Sequence, residues 1–151
     1  MNKKWIWLDC DGTIADLYSV PDWLPKLRAK DPSPYREAAV MHNMSLLARK
    51  LNKLQRAGWQ IGIVSWLSKE PSPDYDKAVT EAKLAWLNQH LHSVHFNTIH
   101  IVAYGCNKWE LCGQDGILFD DENRNRSAWK NGCAFHPDNM MSVLDALLSG
   151  S

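Results

Sequence analysis

Two carboxylates lie one residue apart in Asp9-Cys10-Asp11-Gly12-Thr13, directly after the apolar and aromatic run Lys3-Lys4-Trp5-Ile6-Trp7-Leu8. A pair of this kind at a strand end is costly unless a cation, a shared proton or backbone N–H groups offset its charge. A bare Asp-Gly is often no more than a tight turn. Here, however, a second acidic pair, Asp120-Asp121, ends another apolar run, Gly116-Ile117-Leu118-Phe119. Oxygen ligands crowded in this way suit a hard divalent cation such as Mg²⁺, which binds through carboxylates and keeps several waters. Between the pairs come Ser65, closing Trp59-Gln60-Ile61-Gly62-Ile63-Val64, and Lys108 within Gly105-Cys106-Asn107-Lys108-Trp109-Glu110. Either alone would be background, since a serine after valine and a helical lysine are common.

The elements that must position these groups can be read from periodicity. The run ending at Leu8 reads as a buried strand, Trp59–Ser65 as a second, Ile99–Ala103 as a third and Gly116–Phe119 as a fourth, with a short fifth over Gly132–Phe135. Pro21, Pro25, Pro32 and Pro34 leave room for one short helix between Asp22 and Lys30. A helix is predicted from about Arg36 to Arg56, with Val40, Met44, Leu47, Leu51 and Leu54 on one face and Gly58 as its stop. After the loop Lys69–Pro73, Ser72 or Asp74 caps a helix whose face is read as Ala78, Ala82, Ala85, Trp86 and Leu91. The tail from Pro137 or Asp138 to Leu148 closes the chain as a helix. Strands alternating with helices imply an α/β fold: a Rossmann-like three-layer sandwich on a mainly parallel sheet of about five strands. Ligands in such sheets bind at the carboxyl ends of the strands, where Asp9, Ser65 and Asp120 all fall.

The 151 residues are read as one domain, 1–151, able to bury a core unaided. Acidic and basic residues balance at 17 each, so no basic excess advertises nucleic acid and no acidic excess suggests a solvating tail. No apolar run approaches the ~18 residues of a membrane span, and no signal peptide is expected before Trp5. Cys10, Cys106, Cys112 and Cys133 form no CxxC pattern, so a reducing, cytoplasmic setting is expected. Cys106, Cys112, Cys133 and His136 match no common zinc spacing and are read as structural. Of the eight tryptophans, most are expected in the core and Trp66 at the site.

The sequence Asp9-Cys10-Asp11-Gly12-Thr13-Ile14-Ala15-Asp16 resembles motif I of the haloacid dehalogenase (HAD) superfamily of phosphatases and phosphotransferases. Ser65, Lys108 and Asp120-Asp121 follow in the order of that family's motifs II, III and IV. The resemblance implies a phosphatase in which Asp9 is the nucleophile and Asp11 the general acid and base. It implies that Ser65, Lys108, Gly12 and Thr13 bind phosphate. Mg²⁺ would be held by Asp9, Asp11 through its backbone carbonyl, and Asp120, with Asp121 either reaching the metal through water or holding Lys108. Family members take their specificity from cap insertions, and the insert here, 17–42, is too small for a folded cap, which implies an open crevice. The motifs look most like those of 5′(3′)-deoxyribonucleotidase-type members, whose helical cap is larger. Tyr18 and Trp66 are candidate substrate contacts; Trp23 and Tyr35 are read rather as packing of the reduced cap. Arg124 and Arg126 are read as a solvated loop before phosphate or ribose contacts. The expected partner is a small phosphorylated substrate such as a nucleotide, acted on by a monomer or homodimer. Two alternatives stay open: a polynucleotide end-phosphatase using the open site, which the zero net charge disfavours, and a binding module without turnover.

Overall fold

A computed structural model of the chain describes residues 4–70, 72–112 and 116–150. Lys3 of the first apolar run and Pro71 of the later loop lie outside the described residues. The strands are β1 (Trp5–Leu8), β2 (Ala15–Asp16), β3 (Ala39–Val40), β4 (Gln60–Trp66), β5 (Thr98–Val102), β6 (Gly116–Phe119) and β7 (Ala134–Phe135). The helices are α1 (Trp23–Arg28), α2 (Ser33–Glu37), α3 (Met44–Arg56), α4 (Pro73–His90), α5 (Lys108–Cys112), α6 (Asn123–Ala128) and α7 (Met140–Ser149). Five strands form one parallel sheet in the order β5-β4-β1-β6-β7. The chain leaves the central strand β1 for one side of the sheet and later returns to the other side. The carboxyl end of β1 is therefore the point at which strand order switches, where parallel sheets leave a crevice.

Alternation along the strands divides the core into two layers. Ile6, Leu8, Ile61 and Ile63 face Leu47, Leu51 and Leu54 of α3, Trp86 and Leu87 of α4 and Met140 and Leu144 of α7. Trp7, Val64 and Leu118 face the opposite way, against Cys112 and Trp129. Trp7 stacks on Trp5 with ring centroids 4.6 Å apart and lies across from Gly62 in the register of β1 and β4. A Cβ at Gly62 would run into the Trp7 ring, so glycine here is a packing requirement of the tryptophan.

The helix expected from Arg36 to Arg56 is shorter at its start. It begins at Met44, where the Asn43 side chain accepts the Leu46 N–H at 3.1 Å as an N-cap. The preceding residues make α2 and then β3, which pairs antiparallel with β2 through Ala15–Val40 and Asp16–Ala39. Val40, read as part of the apolar face, is exposed on that hairpin. Between Asp22 and Lys30 there is one short helix, α1, as expected, and a second, α2, starts at Ser33 with Pro34 in its first turn, where a proline is tolerated. The buried face of α4 is also rotated from the one expected: it is Tyr75, Val79, Ala82, Lys83, Trp86 and Leu87, while Ala85 is exposed. Trp86 sets this rotation, since its indole N–H donates to the Ala38 carbonyl at 2.7 Å inside the core. Gly62→Ala is expected to destabilise the protein by about 1–3 kcal/mol through overpacking against Trp7, read as a lower urea midpoint.

Candidate active site

Asp9 follows β1 immediately, and its N–H donates to Phe119 O at 3.0 Å, which extends the pairing with β6 by one residue. The chain then turns sharply. The N–H groups of Thr13, Ile14 and Ala15 all donate to the Cys10 carbonyl, and Gly12 N–H donates to Ala15 O at 2.8 Å. Gly12 holds φ +79°, and a Cβ there would strike the Asp121 carboxylate. Glycine is thus required both for the turn and for the approach of the second acidic pair. Thr13, fully buried, donates its hydroxyl to Asp9 Oδ2 at 3.1 Å and accepts the Asp121 N–H at 3.2 Å. Its side chain ties the two acidic loops together.

Lys108, the first residue of α5, is buried and donates to Asp9 Oδ1 at 3.1 Å and Asp120 Oδ2 at 2.7 Å. Burial alone would lower its pKa, but the two carboxylates outweigh that and hold the ammonium above the ordinary lysine range. Asp120, completely buried, also accepts from Asn125 Nδ2 at 3.0 Å and Glu122 N at 2.9 Å. Arg126 donates to the backbone carbonyls of both Asp120 and Asp121, at 2.9 and 2.8 Å, and so braces the acidic loop. Asp9, Asp120 and Asp121 each offer an oxygen within 4.8 Å of the others, the only such set of three or more acidic, histidine or cysteine side chains among the described residues. Cys106, Cys112, Cys133 and His136 do not come together in this way.

Burial, with the neighbouring negative charge of Asp9, pushes Asp120 up to about 6 and Asp121 up to about 8. Carboxylates that resist ionisation because they face one another are the signature of a site short of positive charge. All-oxygen donors, loosely enough spaced to share one ion, fit Mg²⁺.

Ser65, the penultimate residue of β4, is fully buried, and its Oγ accepts from Lys83 Nζ at 2.7 Å. The same ammonium donates to Asp11 Oδ2 at 2.8 Å. Burial raises the pKa of Asp11, and the charge of Asp9 adds to that while Lys83 opposes it. Asp9, Asp11, Lys108, Asp121 and Asn125 line a cleft of about 270 Å³, whose walls are Tyr18, Trp23 and Tyr35 on one side and Trp66 and Tyr104 on the other. Trp66 is fixed by an indole N–H bond to Cys106 O at 2.9 Å, and the Arg124 guanidinium lies 5.3 Å from its ring centroid.

Asp9, Asp11, Ser65, Lys108, Asp120 and Asp121 therefore come together at one end of the sheet. Gly12 and Thr13 join them as the turn and its tie rather than as part of the cleft wall. Trp66 and Tyr18 line the cleft; Trp23 and Tyr35 border it while packing the small insert as expected, Tyr35 buried with Leu17, Tyr75 and Val79 and Trp23 against the main core. Lys83, Asn125 and Tyr104 were not anticipated, and Arg126 stands in a role other than the solvated one expected. For Lys83 a signal exists: it stands at i+4 from Val79 and i−3 from Trp86, on the apolar stripe of its helix.

No family model matches the sequence, and no curated protein does. Solved structures share its fold. A chain in the structure of a Pnkp1/Rnl/Hen1 complex aligns over 89% of this protein at TM-score 0.60 and 16% identity. This protein spans 46% of that chain, about half its length. The D,D-heptose 1,7-bisphosphate phosphatase from Burkholderia thailandensis aligns over 97% of this protein and 99% of its own length, at TM-score 0.56 and 13% identity. What is shared at these identities is the fold. The parallel five-stranded sheet with helices on both faces is that of a known phosphatase. No helix among the described residues is long and apolar enough to cross a membrane.

The raised Asp120 and Asp121 have a measurable consequence. A group whose folded pKa lies above its unfolded value stabilises the fold fully at pH below the unfolded value and loses that contribution as pH rises through the folded one. The protein in chelator is therefore expected to lose melting temperature between about pH 4 and pH 8, from the ordinary carboxylate value up through both raised values. Mg²⁺ should raise the melting temperature most at the alkaline end, and Asp121→Asn should flatten the slope in chelator. Thermal melts across that range, with and without Mg²⁺, check both.

Proposed function

We propose that this protein is a HAD-type, Mg²⁺-dependent phosphomonoester hydrolase working through an aspartyl-phosphate, with a nucleotide or similar small phosphorylated metabolite as substrate. The observation that carries the reading is the pairing of roles on the cleft floor. Asp9 is held by Lys108 and Thr13, and Asp11 opens into the same cleft on its own cation. The shared fold with a sugar bisphosphate phosphatase supports it.

In this reading an Asp9 oxygen attacks phosphorus, the P–O bond to the leaving group breaks, and the departing oxygen takes a proton from Asp11. Water then attacks the phosphorus of the aspartyl-phosphate while the Asp11 carboxylate takes its proton. Phosphate leaves, Asp9 is restored as a carboxylate and Asp11 is again protonated. Lys108 pairs with Asp9 and faces the charge gathering on the phosphoryl oxygens, while Ser65 offers its hydroxyl to them. Mg²⁺, held by Asp9, Asp120 and the Asp11 carbonyl with Asp121 alongside, would neutralise charge on the transferring phosphoryl group. Asp9→Asn is expected to abolish phosphate release, by about 10³-fold or more, while leaving circular dichroism and cooperative unfolding intact. Turnover retained in that variant would remove Asp9 as the nucleophile.

The residues between β2 and β3 act as a small cap, since Leu17, Tyr18, Trp23, Leu24, Leu27 and Tyr35 form one wall of the cleft. A cleft with aromatic rings on both walls and an anion-binding floor suits a planar group carrying a phosphate. Tyr18, 47% exposed, is free to stack on a base without being needed for the core. Tyr18→Ala should raise KM for a nucleoside monophosphate with little change in kcat, by the roughly 5- to 150-fold that a stacking loss of about 1–3 kcal/mol represents. Phosphate release from nucleotides, sugar phosphates and phosphorylated oligonucleotide ends, each with Mg²⁺ or chelator, decides the substrate class. Release confined to oligonucleotide ends would favour an end-phosphatase, which the open side of the cleft accommodates. Ester binding without release would leave a binding module. The free thiols of Cys10, Cys106, Cys112 and Cys133 fit a cytoplasmic setting.

A further inference from the structure

We propose that Lys83 is a positioning residue of this site, dividing the labour of the Asp11 carboxyl and the Ser65 hydroxyl by holding one face of each. The inference rests on the phosphatase reading above. An ammonium has three N–H donors, and Lys83 directs them at three acceptors: Ser65 Oγ at 2.7 Å, Asp11 Oδ2 at 2.8 Å and the Trp66 carbonyl at 2.6 Å. The residue is 2% exposed, sits on the buried stripe of an 18-residue helix, and has the Tyr35 ring 5.2 Å from its nitrogen. A buried lysine is costly unless fully paired, and here the pairing converges on two groups assigned to the reaction rather than on a surface carboxylate.

The consequences follow from donor and acceptor counting. Because Ser65 Oγ accepts from Lys83, its own O–H is turned away from that ammonium and left to donate elsewhere. Because Asp11 commits Oδ2 to Lys83, its other oxygen is the one left to meet the leaving group and then water. The Trp66 carbonyl anchors the ammonium to the end of β4, so the aim of Asp11 is referred to the sheet as well as to its own turn. Lys108 plays no part in this, since its bonds run to Asp9 and Asp120. The two lysines thus serve separate pairs: one for the nucleophile and the acidic cluster, the other for the acid and the hydroxyl.

The test is the dependence of rate on leaving group in Lys83→Met, Lys83→Gln and Lys83→Arg. A poor leaving group such as the alkoxide of glycerol 2-phosphate needs the proton from Asp11, whereas 2,4-dinitrophenyl phosphate departs without one. If Lys83 aims Asp11, kcat/KM for glycerol 2-phosphate falls about 10²-fold in Lys83→Met, the lower end of what acid catalysis contributes. The loss with 2,4-dinitrophenyl phosphate stays under about tenfold, and Lys83→Arg, which keeps charge and donors, recovers part of the difference. A lysine needed only for folding would lower both substrates equally in proportion to the folded fraction, and an unchanged ratio between them overturns the proposal. Should Lys83→Met fail to fold, Lys83→Gln, which keeps two N–H donors on a shorter side chain, carries the same comparison. Wild-type inactivity on both esters would overturn the phosphatase reading and this proposal with it. Wild-type activity with an unchanged ratio overturns this proposal alone.

Discussion

Four carboxylates, Asp9, Asp11, Asp120 and Asp121, are brought to one end of a parallel sheet, and their mutual repulsion is the constraint around which the site is organised. In a medium of low dielectric such crowding is tolerable only if each group finds a donor or keeps a proton. The structure answers with two buried ammonium groups and a set of neutral donors. Lys108 bridges Asp9 and Asp120, Lys83 holds Asp11, Thr13 links Asp9 to the Asp121 loop, and Asn125 takes a remaining lone pair of Asp120. Carboxylates still outnumber ammonium groups two to one, and burial together with that imbalance raises Asp120 and Asp121.

The fold exists to make this concentration of charge possible. Strands β1 and β6 are parallel neighbours in register from Trp5–Gly116 to Leu8–Phe119, so the residues just after each, Asp9 and Asp120, emerge side by side. Buried apolar and aromatic side chains on both faces of the sheet supply the stability against which the charged end is held. The Trp7–Gly62 contact shows how tightly that interior is arranged: one ring spans two strands only because its neighbour has no side chain. Preorganised polar groups of this kind are what electrostatic catalysis requires, because they do not reorganise as charge develops.

The cleft above is built by other means. One wall comes from the small insert between β2 and β3, the other from Trp66 and Tyr104 near the ends of β4 and β5. The insert is tied to the core by the Trp86 indole bond to Ala38 and by packing of α2 on α4. Helix α4 therefore serves both purposes, presenting Trp86 to the insert and Lys83 to the cleft floor from neighbouring positions on one stripe. Any shift of that helix would alter the cleft wall and the setting of Asp11 together.

The parallel α/β architecture was legible from the strand-helix alternation, and Asp9, Asp11, Ser65, Lys108 and Asp120 from short motifs at strand ends. Both signals are local: a turn needs its glycine nearby, and a strand declares itself within a few residues. The start of α3, the β2–β3 hairpin and the rotation of α4 were not legible, because each is decided by a distant partner. Val40 has the spacing of a helical face yet pairs with Ala15, and Trp86 turns its helix by bonding to a carbonyl 48 residues away. Lys83 belongs to the same class, since in sequence it is one more helical lysine, and only a contact with Asp11 across 72 residues shows otherwise. The sequence by itself determined which groups could do chemistry. The tertiary structure decided which cation serves which carboxylate, because pairing energy in a buried site depends on separation and desolvation, and neither is written in residue spacing.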